Sequence, residues 1–148
     1  MKKKHVFLLA ISLLAAFMLC SCGTKQEPDM LGYTPDSLLG NWEEKFAGRG
    51  HITISKNAGG EYEIQVNWSS SASETSVWTM TAQPAASNML RYEKCRHVIL
   101  TLSEEGPETE KLQYENGTGT FTLLSTNELQ WQDETGHAAD DALFISVD

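Results

Sequence analysis

The residues best equipped for chemistry gather near the C-terminus. Asp133-Glu134-x-x-His137-x-x-Asp140-Asp141 places four carboxylates and an imidazole within nine residues, with Gly136 among them. A hard cation such as Ca²⁺ takes about six to eight oxygens from a loop of this composition. The spacing is not that of an EF-hand, and no second acidic set is fixed against it, so the segment is expected to be a solvated loop that binds no metal. Cys95 lies between Lys94 and Arg96, cations of the kind that lower a thiol pKa. Its position within a strand pattern favours a half-buried small residue instead. His51, His97 and His137 fall on three separate segments, and no Gly-x-Ser-x-Gly elbow or Ser-x-x-Lys motif surrounds a serine. Ser69-Ser70-Ser71-Ala72-Ser73 has the composition of a flexible loop. Glu61 and Glu63 could form a carboxylate pair, but a period of two turns both outward. Neither catalysis nor a cofactor is expected.

Binding is better supported. Trp42, Trp68, Trp78 and Trp131, with Tyr62, Tyr92, Tyr114 and Phe121, all fall on the apolar phase of their segments. Such aromatics either fill a small core or line a cavity for a small hydrophobic or ring-shaped ligand. Trp68, Trp78, Tyr92 and Trp131 are the candidate ligand-binding residues, with Trp68 or Trp78 at the open mouth and Trp42 structural.

The chain of 148 residues carries 20 Asp+Glu against 11 Lys+Arg, a net charge of −9. Lys2, Lys3 and Lys4 belong to a basic start that precedes the apolar run Val6–Leu19. Fourteen apolar residues are too few for a spanning helix, which needs about 20, and suit the core of an export signal. The following Leu19-Cys20-Ser21-Cys22-Gly23 resembles the bacterial lipobox in the register of Cys22. That resemblance implies cleavage before Cys22, diacylglyceryl attachment to its sulfur, and residence in the cell membrane or envelope on the extracytoplasmic face. With Cys20 removed and Cys22 acylated, Cys95 is left alone, so no intramolecular disulfide is possible. The mature chain then holds eight Lys+Arg against 20 Asp+Glu, a net charge of −12. That balance excludes a nucleic-acid binder, which neutralises phosphates with clustered Lys and Arg.

The elements that must position these residues are strands. Cys22–Ser37 has the composition of a flexible tether, with a short helical turn expected at Pro35–Leu39. From residue 38 to 148 the dominant pattern is alternation, clearest in Glu61–Trp68, where Tyr62, Ile64, Val66 and Trp68 share one face. Further strands are predicted at 41–46, 51–56, 76–83, 89–94, 96–102, 109–115, 118–124, 128–132 and 143–147. Asn116-Gly117 is the strongest hairpin dipeptide. About eight to ten short strands in sequence suggest an all-β antiparallel meander closing into a small barrel, with a two-sheet sandwich as the alternative.

Gly40-Asn41-Trp42 is similar to the Gly-x-Trp signature that opens lipocalins and other calycin barrels. Trp68-Ser69-Ser70-x-x-x-Glu74, Trp78-Thr79-Met80, Asn116-Gly117-Thr118-Gly119-x-Phe121 and Leu129-x-Trp131-x-Asp133-Glu134, ending at Phe144, together resemble a group of small bacterial lipoproteins over residues 38–148. The resemblance implies a calycin-like barrel on a lipid anchor and no particular activity. It also implies that Trp42 packs across the closed end of the barrel. A basic partner for Trp42 would be Arg49 or another residue, because the last strand offers none. The resulting expectation is a lipid-anchored envelope module that binds a small hydrophobic ligand or a partner protein. The alternative is a structural or inhibitor-type lipoprotein with a filled barrel and no ligand.

Overall fold

A computed structural model describes residues 32–148 apart from 105, 107, 141 and 148. The export segment 1–21, Cys22 and the tether as far as residue 31 lie outside the described residues. Alternation folds as expected: Tyr62–Ser69 buries Tyr62, Ile64 and Val66 and exposes Glu63 and Gln65. Eight strands form: β1 (Gly40–Glu44), β2 (Gly50–Lys56), β3 (Tyr62–Ser69), β4 (Glu74–Ala86), β5 (Met89–Thr101), β6 (Thr109–Ser125), β7 (Glu128–Asp133) and β8 (Leu143–Ser146). Each pairs antiparallel with the next, and β1 pairs with β8 through Trp42↔Ser146 and Glu44↔Phe144, which closes the barrel. Closure gives the short strands partners on both sides and satisfies backbone groups that an open sheet would expose.

Two predicted breaks are absent, for a common reason. Asn116-Gly117 does not turn the chain. Asn116 takes φ 60° inside β6, and the 17-residue strand runs on through it. Residues 89–94 and 96–102 likewise join into β5, with register shifts around Cys95, which sits opposite Gly117. A left-handed residue in a strand can serve a bulge as well as a hairpin, and here the bulged strands curve around the core. A side chain at Gly117 would lie 2.5 Å from the Tyr114 ring, so the glycine is required by packing. Pro84 falls in β4 rather than in a turn, beyond Ala82, the last residue of β4 paired with β3. Its missing N–H costs nothing there.

The folded unit begins before residue 38. A 3₁₀ turn at Pro35–Leu38 lies across one end of the barrel and buries Leu38 completely. Trp42 is buried beneath it, and its Nε1–H donates to the Leu38 carbonyl at 3.0 Å. Lys56 Nζ and the Tyr62 hydroxyl both donate to Asp36 Oδ1, at 2.7 and 2.5 Å. Arg49 does not partner Trp42 here; its charge lies beside Glu44. Burial raises the Glu44 pKa, but hydrogen bonds from the Phe46, Ala47 and Gly48 amides, with Arg49, outweigh it and hold the carboxyl below its ordinary value. Among the described residues no helix is long and apolar enough to cross a membrane.

Candidate functional site

Three of the four aromatics expected to bind a ligand meet inside the barrel, held by inward phases of β4, β5 and β7. Trp131 packs edge-on against Trp78, with ring centroids 5.1 Å apart, and stacks at 6.0 Å on Phe121. The Trp131 Nε1–H donates to the Tyr92 hydroxyl at 3.1 Å. The Trp78 Nε1–H donates to the Tyr114 hydroxyl at 3.0 Å. Each indole therefore finds its acceptor on a neighbouring ring. Trp78, Tyr92 and Trp131 are 3%, 1% and 0% exposed. Burial raises the pKa of both tyrosines, so they act as neutral hydrogen-bonding groups. Trp68 stands apart, half-buried, over Gly50 and edge-on to Phe144 at 6.2 Å.

The cluster extends to a residue that the sequence placed in a solvated loop. Asp133 is fully buried. Its Oδ2 accepts from the Tyr114 hydroxyl at 2.8 Å, and its Oδ1 accepts from the Thr135 and Gly136 amides at 3.1 Å each. A buried carboxylate survives when its oxygens are occupied in this way. The signal was present, because Asp133 continues the inward phase of Leu129 and Trp131, but an acidic residue beside Glu134 reads as loop. Glu134 itself faces out and takes both Arg91 guanidinium nitrogens at 3.1 Å. His137 pairs with Asp140 at 3.0 Å, and Asp141 lies outside the described residues. The nine-residue motif thus divides its work between a core anchor, a surface ion pair to Arg91 and a surface hydrogen bond between His137 and Asp140. Among the described residues no three His, Cys, Asp or Glu groups are placed to share a metal.

His97 was also missed as part of this cluster. Its ring stacks on Trp78 at 4.0 Å and 7°, with Tyr114 edge-on at 5.1 Å, and its Nε2 is buried without a hydrogen-bond partner. Burial lowers its pKa, against the opposing pull of Asp133. Below its ordinary pKa of 6.5 the unfolded chain therefore takes up a proton that the folded barrel resists. This stability contribution is complete above that value and is lost as pH falls towards the folded pKa. Chemical denaturation between pH 7.5 and 5 is expected to show stability declining with acid, and His97→Gln is expected to flatten the decline. An unchanged pH slope in that variant would remove the assignment. Cys95 is fully buried in the same interior, and burial pushes its thiol up to about 12. Lys94 and Arg96 point the other way and do not activate it.

Those two cations face a concavity on the outside of the barrel. A trough of about 620 Å³ crosses the outer face of β2–β5. Pairing aligns two polar rows along it, Thr53–Gln65–Thr79–Arg96 and Ser55–Glu63–Thr81. Lys94 lies beside them at the register shift of β4 on β5. A second groove of about 390 Å³ continues past Gln83 and Arg91, sharing Thr81 and Lys94 with the first. Neither contains a tryptophan or a tyrosine. Their hydroxyl, amide and charged groups can hydrogen-bond a polar ligand.

Fold and site together define a small, closed, eight-stranded antiparallel β-barrel with an aromatic interior packed around a buried aspartate and a polar trough outside. The chain matches no protein-family model, no curated protein and no solved structure.

Proposed function

We propose that the chain is a non-catalytic, lipid-anchored binding module of the bacterial cell envelope, a calycin-like barrel that meets its partner on its outer surface. The observation that carries this reading is the interior itself. Trp78, Tyr92 and Trp131 spend their polar atoms on one another and on Tyr114, while the trough of about 620 Å³ lies outside. A pocket for a small hydrophobic ligand would present such aromatics to open volume. The same filled interior suits the inhibitor-type alternative, in which an acidic mature chain of net charge −12 meets a basic envelope protein.

The anchor rests on the lipobox register of Cys22, and two or three acyl chains give stable attachment where one does not. Cys22→Ala is expected to leave the membrane pellet in fractionated cells, while the unaltered chain stays there and partitions into detergent. Equal membrane retention of both would overturn the anchor. A barrel that carried its ligand inside would come off the membrane with that ligand bound. This one is expected to come away as bare polypeptide with its acyl group, which native mass spectrometry reads directly.

A further inference from the structure

We draw no further inference here: the strongest candidate, the outer edge of β6 over residues 109–112, which pairs with β5 on one side and with no described strand on the other and leaves Leu112 exposed, carries nothing because nothing in the structure shows what covers it.

Discussion

Trp131→Ala will cost about 3–5 kcal/mol of folding stability, the range for removing a large aromatic from a packed core. The indole is completely buried between Trp78 and Phe121 and donates to Tyr92. Its removal takes away a large apolar area and leaves the Tyr92 hydroxyl short of a donor. For a barrel of this size the loss lowers the melting temperature by well over 10 °C. An aromatic-sized void should also appear, apolar on most sides, of the kind that stays dry and takes up benzene. Thermal denaturation with and without benzene checks both points: the variant should be destabilised and partly rescued, and the parent chain unaffected. A variant within 1 kcal/mol of the parent would mean that the interior is not the packed core described above.

Asp133→Ala should be nearly as damaging, at about 3 kcal/mol, by a different route. The carboxylate accepts from the Tyr114 hydroxyl and from two amides of the β7–β8 loop. Deleting it strands buried donors, and each costs about 1–3 kcal/mol when left unpaired. Tyr114 would also lose the partner that orients it to receive the Trp78 indole N–H. Tyr114→Phe removes one bond of the set and should cost about 1 kcal/mol. Urea denaturation of the two variants side by side gives the comparison. If Asp133→Ala proved no worse than Tyr114→Phe, Asp133 would not be the hub of the network.

The barrel was legible because strand alternation is a local property. Tyr62, Ile64 and Val66 face inward in sequence pattern and structure alike, for the reason that one face of a closed sheet meets the core. What escaped depended on residues distant in the chain. Asn116-Gly117 has the chemistry of a hairpin turn, yet β5 and β6 pair on both sides of it, and the long-range ladder kept the strand going. Asp133 carries the inward phase of β7 into what looks like an acidic loop. Its burial depends on Tyr114, 19 residues away. Of the aromatics chosen for ligand binding, Trp78, Tyr92 and Trp131 do converge, but whether converging rings enclose space or fill it is decided by partners such as His97 and Phe121. The trough was equally hidden. Thr53, Gln65, Thr79 and Arg96 align only once four strands are in register.

The claim on which the rest depends is that the barrel interior is occupied by its own side chains, so that binding takes place outside. Native mass spectrometry of the full chain, extracted from membranes in mild detergent, tests it most directly. The expected result is a single species, the mass of the polypeptide with no small molecule bound beyond the acyl group proposed on Cys22, unchanged when collision energy is raised below the point of unfolding. A second species carrying a stoichiometric small molecule, shed from the parent chain as the energy rises and lost in a folded variant of Trp78 or Trp131, would contradict it.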